Sequence, residues 1–274
     1  MGKKWSVNET FKHSFIILVC IAMLYPLLLM VQMSVKDKKQ IVFHFFSFNG
    51  PYHFVNYGKA WEKVAPMIWN SFVMSTGSAL VGVLFAALAG YAFGKMKFPG
   101  RQILFWVLFA KMLLPGVMNF IPSFILALKL GLLDTYWVII LFAAAAAQPF
   151  WVFVIRTFVE QQPKELFESA TIDGATELQT FWHVAAPLLK PMFTLMGINL
   201  FLGVWNDYIW PLVTIQSAEM RPLTIGLAFL TNGFPGDYGA LMAGYVIASI
   251  PLLLLFVFGM RQFVAGLTGG AIKL

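Results

Sequence analysis

The chain has 274 residues, of which 59% are hydrophobic and only 11% charged, and its mean hydropathy is +0.77. Soluble domains carry roughly 25% charged residues, so this composition indicates a protein that has lipid as its solvent. The apolar runs are long enough for helices that cross a bilayer, whereas a β-barrel would show short alternating segments. The sequence therefore predicts an all-α membrane protein.

The formal net charge is +7, but the basic residues lie beside the apolar runs and form no dense patch with interleaved aromatic residues. This pattern argues against nucleic-acid binding and indicates topology signals instead. The only cysteine, Cys20, lies in an apolar run and cannot form an intrachain disulfide. Because the four histidines are scattered over separate loops, we predict no metal site and no membrane enzyme.

Taken in chain order, a basic and polar segment 1–13 precedes the first apolar run, and we expect that segment to be cytoplasmic. The first run is longer than the core of a signal peptide, and no cleavage site stands out after it, so we expect it to be retained. Six runs of about 20 residues predict six transmembrane helices. These runs are 14–34, 67–93, 102–129, 135–158, 191–213 and 241–263.

Placing the N-terminus inside puts most Lys and Arg residues on the cytoplasmic side, although the long first loop, 35–66, keeps five lysines outside. Charges in long loops influence topology less than charges in short ones. We therefore expect both termini to be cytoplasmic, with a transmembrane domain at 14–263 and a tail at 264–274. In the fourth run, the alanines at 143–147 precede Gln148 and Pro149, which predicts a close packing seam with a kink.

The loop 159–190 predicts a helix, a turn and a second helix. Pro163 suits a first helical position, Gly174 suits a left-handed stop, and the second helix is expected from Ala175 to a bend before Pro187. An apolar face that includes Leu166 and Ala170 would need a cover. In a protein with so little soluble mass, a partner subunit is a reasonable candidate.

This loop resembles the EAA loop, E-A-A-x3-G-x9-I-x-L-P, of the permeases of binding-protein-dependent ABC importers. The match begins at Glu168 and ends at Pro187, and its three departures, at Ser169, Val184 and Ala186, keep small or apolar side chains. Segments spread over nearly the whole chain are also similar to the MalG-type branch of carbohydrate importers. They lie at 54–57, 70–71, 98–100, 131–135, 173–175, 205–207, 241–244 and 263–273.

The resemblance implies the type I importer permease fold in the bacterial cytoplasmic membrane, and a sugar or oligosaccharide as solute. It also implies a second permease subunit, expected to form a heterodimer, together with an extracytoplasmic solute-binding protein and an ATPase dimer that holds ATP and magnesium. This chain would carry no cofactor and no catalytic residue, and residues 90–96 lack the spacing and hydroxyl of a phosphate loop. A glycerol phosphodiester or a polyamine remains an alternative solute. The residues implied in ATPase coupling are Glu168, Ser169, Ala170, Asp173, Gly174 and Pro187.

Polar groups inside apolar runs are candidates for the solute pathway because they are costly in lipid. Asn199 and Asn206 are seven residues apart and lie on nearly the same helical face. The alternative is that Asn206 and Asp207 hold helix ends. Lys111 could pair with Asp207, extend to the membrane surface or attract an acidic sugar such as a uronate. The candidate pathway residues are Lys111, Asn119, Gln148, Asn199, Trp205, Asn206 and Asp207.

The outer loop 214–240 contains a cluster of turn residues. In importers of the maltose type, the corresponding loop enters the sugar cleft of the binding protein, and the resemblance implies the same contact here. An ordinary outer turn is the alternative. The candidate contact residues are Asn232, Gly233, Phe234 and Asp237. A secondary transporter is the rival class, but the sequence shows no clear internal repeat and no chain of intramembrane acids.

Overall fold

The structure, a computed structural model, describes residues 7–271, with side chains at 9 and 11–254. Parts of the predicted N-terminal segment 1–13 and of the predicted tail 264–274 therefore lie outside the described residues. All regular elements in the described range are helices. They are α1 Val7–Ser34, α2 Lys38–Phe43, α3 Val55–Lys95, α4 Arg101–Ala110, α5 Phe120–Lys129, α6 Tyr136–Glu160, α7 Glu165–Ile172, α8 Glu177–Thr180, α9 Ala186–Asn206, α10 Ile209–Thr214, α11 Leu223–Gly233 and α12 Tyr238–Ala271.

Four of the described helical stretches are long and apolar enough to cross a membrane, and a bent pair brings the number to five. The four are Phe11–Ser34, Val55–Lys95, Tyr136–Glu160 and Glu177–Asn206. The sixth predicted span falls within α12, whose apolar part in the described side chains is Tyr238–Leu254. The predicted all-α membrane fold is confirmed. The second span is longer than predicted, because α3 begins at Val55 rather than near Met67.

The third predicted span, 102–129, is wrong as a single helix. Arg101–Leu113 and Gly116–Lys129 meet at an angle of 107°. Pro115 explains the break, because a proline disfavours helical backbone in the residue before it, and Leu114 is extended at φ −83° and ψ 127°. Lys111 therefore lies beside a break in the span, and its side chain is exposed in this chain.

The fifth predicted span, 191–213, is also wrong in its bounds. One helical stretch runs from Glu177 to Asn206, and Asp207 then turns to extended backbone. The predicted bend before Pro187 is replaced by a π-helical turn, Phe181–Ala185. In this turn the N–H of Ala186 bonds to the carbonyl of Phe181, five residues back. The wider turn accommodates a proline that has no N–H to donate, so the helix continues.

The chain divides into two compact units, Met1–Pro66 with Gly226–Val257 and Met67–Ile225 with Phe258–Leu274. The second unit is built on close packing of α3 against α6. A Cβ atom added at Gly90 would lie 2.6 Å from Cγ2 of Ile155 and 3.2 Å from the backbone nitrogen of Arg156. One at Gly82 would lie 3.6 Å from Cα of Ala144. Gly82 therefore faces the predicted seam at Ala144, and Gly90 makes a close approach further along α6, as small residues allow in membranes.

In the first unit, polar side chains join the end of α1 to the start of α3. The Asn56 amide donates to the carbonyl of Ser34 at 2.9 Å and to that of Lys36 at 3.0 Å. The Ser34 hydroxyl lies 2.7 Å from that of Tyr57. The first of these bonds satisfies the carbonyl of Ser34, the last residue of α1, which has no partner within the helix. The chain between the two helices is therefore held in one conformation.

Candidate functional site

The centre of the candidate site is the helical loop after α6. Its first helix, α7, ends in a Schellman motif, in which Gly174 has φ +77°. The N–H of Gly174 donates to the carbonyl of Thr171 at 3.1 Å, and that of Ala175 donates to Ala170 at 2.9 Å. Glycine is the residue that adopts this left-handed conformation without strain. The stop expected at Gly174 is therefore where the helix ends.

A capping box begins the second helix. The N–H of Gln179 donates to the Thr176 hydroxyl at 3.4 Å, and the Gln179 side chain accepts from the Thr176 N–H at 2.8 Å. The predicted start at Ala175 is therefore wrong by two residues, because Thr176 is the N-cap and α8 starts at Glu177. Pro163 is likewise outside α7, which starts at Glu165. The fixed turn therefore separates the short helix α7 from the start of the long helical stretch Glu177–Asn206.

Contacts with α3 hold this loop, through residues that no sequence motif identifies. The ring of Phe167 packs 6.4 Å from that of Tyr91, and the ammonium of Lys95 lies 3.9 Å from the Phe167 ring centroid. The Tyr91 hydroxyl donates to a carboxylate oxygen of Glu177 at 3.0 Å. Tyr91 and Lys95 are one helical turn apart and share a face at the end of α3, but no sequence signal links that face to the loop. A displacement of the loop would therefore act directly on α3.

The opposite face of the loop is open. Ile172 is 85% exposed and Leu166 is 42% exposed, while Ala170 is half-buried. Glu168, Ser169, Asp173 and Gly174 are also exposed in this chain. Leu166 and Ile172 of the predicted apolar face therefore point outward, whereas Phe167, which was not predicted to be part of that face, packs inward. An outward face with apolar residues and two acids is suited to a protein partner.

The predicted pathway residues separate into exposed and structural positions. Asn199 and Asn206 are exposed on α9, and the Asn206 amide donates to the carbonyl of Leu202 at 2.8 Å. Trp205 is only 2% exposed and stacks on Phe201 with 5.5 Å between ring centroids. Trp205 is therefore unable to offer a ring face to a sugar in this conformation. Packing at the end of α9, rather than the pathway, accounts for its position.

Two further pathway candidates, Asp207 and Gln148, have local roles, and a third, Asn119, has none. Asp207 accepts from the N–H of Ile209 at 3.1 Å, as a cap of α10 does. Gln148 donates to the carbonyls of Gly82 and Ala144, at 3.2 and 2.8 Å, so it holds the α3–α6 seam. Asn119 is half-buried at the start of α5 and makes no side-chain cap. The ion pairs found among the described side chains do not include the suggested pair between Lys111 and Asp207.

A polar turn closes one end of the second unit. Asp134, at φ +58°, accepts from the N–H groups of Gln216 and Ser217 at 2.9 and 3.0 Å and from the Ser217 hydroxyl. These bonds, the Ser217 hydroxyl first, hold the pKa of the Asp134 carboxyl below its usual range. The Asn70 amide donates to the carbonyls of Glu219 and Arg221 at 2.7 and 3.0 Å. The turn that leads to α11 is thereby fixed.

The predicted outer loop 214–240 is mainly helical, because α11 occupies Leu223–Gly233. Asn232 is exposed, but Phe234 is buried, with the Lys63 ammonium 5.5 Å from its ring centroid. Asp237 pairs with Lys59 at 2.9 Å, and this bond holds the pKa of the Asp237 carboxyl below its usual range. Phe234 and Asp237 are therefore engaged within this unit, and Asn232 is the candidate contact that is free to meet a partner.

Several helices that are long and apolar enough to span a membrane, and a short helical loop with an open face, define the class as a transmembrane protein. Among the residues that the structure describes, no group of three or more His, Cys, Asp or Glu side chains could hold a metal ion. Gly90 and Gly94, the glycines nearest to a phosphate-loop pattern, are helical and pack against α6.

Comparison with known proteins identifies the family. Residues 82–268 match the family described as the inner membrane component of binding-protein-dependent transport systems. The chain is 29% identical to the probable ABC transporter permease protein YurM of Bacillus subtilis over 99% of this chain and 91% of the relative. It is 36% identical to the arabinooligosaccharides transport system permease protein AraQ of Halalkalibacterium halodurans over 81% of this chain and 77% of the relative. The chain therefore belongs to this family of transport components.

A solved structure supports the fold. It is described as a bacterial ABC transporter involved in the import of the acidic polysaccharide alginate. The match has a TM-score of 0.77 and 22% sequence identity, and it covers 96% of this chain and all of that chain. The expected type I importer permease fold is confirmed, as is the expectation of a non-catalytic permease subunit, since the relatives are named as permease proteins.

Proposed function

We propose that this chain is one permease subunit of an ATP-driven importer that moves a sugar or oligosaccharide inward across the bacterial cytoplasmic membrane. The relative AraQ is named for arabinooligosaccharides, which supports a carbohydrate solute. The alginate importer shares the fold at low identity, so it does not by itself favour an acidic solute. The other subunits are a second permease, expected to differ from this chain, an extracytoplasmic binding protein and an ATPase dimer that holds ATP and magnesium.

One observation carries the proposal for energy coupling: the loop of α7 and α8 has one face packed on α3 and an opposite face that is exposed. Its outward face, with Glu168, Ser169, Asp173 and Ile172, would dock in a cleft of the ATPase. Its inward face is fixed to α3 through Phe167. When ATP closes the ATPase dimer, the loop would move as a rigid piece and change the relative stability of inward-open and outward-open states. By reciprocal linkage, a loaded binding protein would favour closure of the ATPase.

The solute would pass along the exposed polar face of α9. Asn199 and Asn206 are exposed in this chain although they lie in a membrane-spanning helix. Exposed amides in lipid are costly, so a pathway or the second permease would cover them. Asn119 would lie near the break in the third span. We keep Gln148 and Asp207 as supports of this region because their hydrogen bonds are internal.

Both termini and the coupling loop would be cytoplasmic, and Asn232 would face the binding protein outside. Site-directed cross-linking tests this assignment in the complete transporter, in a background with Cys20→Ala. We expect Ser169→Cys to cross-link to the ATPase with a thiol-to-amine reagent. The matched control is Asn232→Cys, at an exposed position of the predicted outer loop 214–240, and it should cross-link only to the binding protein. The proposed orientation in the membrane would be refuted if Ser169→Cys cross-linked to the binding protein. It would also be refuted if Asn232→Cys cross-linked to the ATPase.

Lys111 tests the charge of the solute. Its exposed ammonium beside the break in the third span could attract a uronate, or it could extend to the membrane surface. If the ammonium attracts the solute, Lys111→Met should reduce uptake of an acidic oligosaccharide by about tenfold, which corresponds to a loss of roughly 1.4 kcal/mol of binding free energy. Uptake of a neutral oligosaccharide should be unchanged. Equal uptake of the acidic oligosaccharide by the original protein and by Lys111→Met would show that Lys111 has no role in solute selection.

A further inference from the structure

The segment that follows α1, residues 38–54, exposes most of its aromatic side chains, whereas several of its backbone carbonyls bond to polar side chains. We call it the collar. Phe43 is 76% exposed, Phe46 68% and Phe48 69%, and Phe54 and Tyr52 are also exposed. By contrast, Lys36, which has only 3% of its surface exposed, lies beneath the collar. A loop surrounded by water normally has the reverse arrangement.

Several carbonyl groups of the collar accept hydrogen bonds from polar side chains. The Lys36 ammonium donates to the carbonyls of His44 and Phe45 at 2.9 and 2.7 Å. The amide of Gln32 donates to the carbonyl of Ser47 at 2.7 Å. The Gln40 amide donates to that of Pro51 at 3.0 Å. Charged and amide side chains here replace the water that an irregular loop would otherwise bind.

The N-terminal end of the collar is also closed. Asp37 caps α2 by accepting from the N–H of Gln40 at 2.7 Å, and the Gln40 side chain accepts from the N–H of Asp37 at 2.9 Å. The N–H of His53 donates to the carbonyl of Val35 at 2.7 Å, which returns the chain to the end of α1. The collar is therefore a compact loop that directs several apolar rings away from its own unit.

Internal satisfaction of backbone groups is the condition for irregular backbone to lie near the hydrocarbon region. The collar starts four residues after α1, a membrane-spanning helix whose apolar side chains are likewise exposed. Aromatic side chains concentrate at the boundary between hydrocarbon and headgroups. The exposed Lys39 at the edge of the collar provides a cation of the kind that binds lipid phosphates.

We propose that the collar lies in the lipid interface at the end of α1, with its phenylalanine rings at the level of the acyl chain ends and Lys39 beside lipid phosphates. The occupant of this surface is thus phospholipid rather than the binding protein or the second permease. The loop would set the height and tilt of α1 in the bilayer, as interfacial anchors do. The inference does not depend on which solute is carried.

Depth-dependent fluorescence quenching tests this inference. The complete permease pair is placed in phospholipid nanodiscs without binding protein, with Cys20→Ala and one environment-sensitive label at Phe48→Cys. Asn232→Cys, an exposed position of the same unit outside the collar, is the matched control, and Phe46→Cys is a second collar position. Spin-labelled lipid and aqueous iodide are compared as quenchers. We expect spin-labelled lipid to quench both collar labels at least about threefold more than the control label.

Two outcomes would overturn the inference. Quenching by iodide to the same extent at Phe48→Cys, Phe46→Cys and Asn232→Cys would show that the collar stands in water. Protection of the collar labels from both quenchers would show that protein covers them. Because the quenching is measured without ATP and without the binding protein, neither outcome bears on ATP coupling, which is tested separately.

Discussion

Replacing Gly174 by proline is expected to abolish coupled transport. Proline fixes φ near −65°, whereas Gly174 has φ +77°, and the substitution also removes the N–H that bonds to Thr171. A proline at an incompatible position costs about 3 kcal/mol or more, enough to break the turn between α7 and α8. We expect ATP-dependent uptake by the complete transporter to fall more than about tenfold, and binding-protein-stimulated ATP hydrolysis to fall with it.

A graded series at the same position separates backbone conformation from side-chain bulk. A Cβ atom at Gly174 would meet nothing within 4 Å, so Gly174→Asn and Gly174→Ala differ only in how well they tolerate the left-handed region. Asparagine visits that region readily, whereas for alanine it costs roughly 1–2 kcal/mol. Uptake should decrease in the order Gly, Asn, Ala, Pro. A proline variant with normal uptake, or an asparagine variant as poor as proline, would contradict the proposed rigid turn.

Replacing Gly90 by leucine is expected to destabilise the assembled complex rather than to impair transport alone. The added side chain would meet Ile155 at 2.6 Å and the backbone nitrogen of Arg156 at 3.2 Å, so α3 and α6 would have to separate. Overpacking of this kind costs typically about 1–3 kcal/mol and occasionally more. We expect a fall of about 5–10 °C in the apparent melting temperature of the purified complex, with a lower yield.

The control for this variant is Gly58→Leu in the same helix. A Cβ atom at Gly58 would meet nothing within 4 Å, and the residue is exposed. Its replacement should leave the melting temperature within about 2 °C of that of the original protein. Equal losses for Gly90→Leu and Gly58→Leu would mean that any bulky residue in α3 is harmful, and the proposed seam would then have no special role.

The fold could be predicted where the sequence signal is local. The runs at 14–34 and 135–158 are long and uninterrupted, and helices occupy both. The stop at Gly174 could be predicted because the left-handed region strongly favours glycine. The bounds of the fifth span could not, because a π turn absorbs Pro187 and the apolar pattern continues into the separate helix α10.

The candidate site could be predicted only on its outward face. The EAA pattern identifies Glu168 to Gly174, but the partners Tyr91, Lys95 and Glu177 lie in other elements, and no local pattern brings them together. Trp205 illustrates the opposite limit. An aromatic residue beside two polar residues suggests a sugar platform, yet tertiary packing buries its ring on Phe201. Burial depends on neighbours distant in sequence, which composition and spacing do not reveal.

The most direct measurement is uptake of labelled neutral and acidic oligosaccharides into vesicles that hold this chain, the second permease, the ATPase and the binding protein. If ATP hydrolysis is coupled to transport through α7 and α8, uptake should require both ATP and the binding protein. The Gly174→Pro variant should then show no uptake. Uptake by this chain alone, without ATP and unaffected by Gly174→Pro, would contradict the proposal and indicate a secondary transporter.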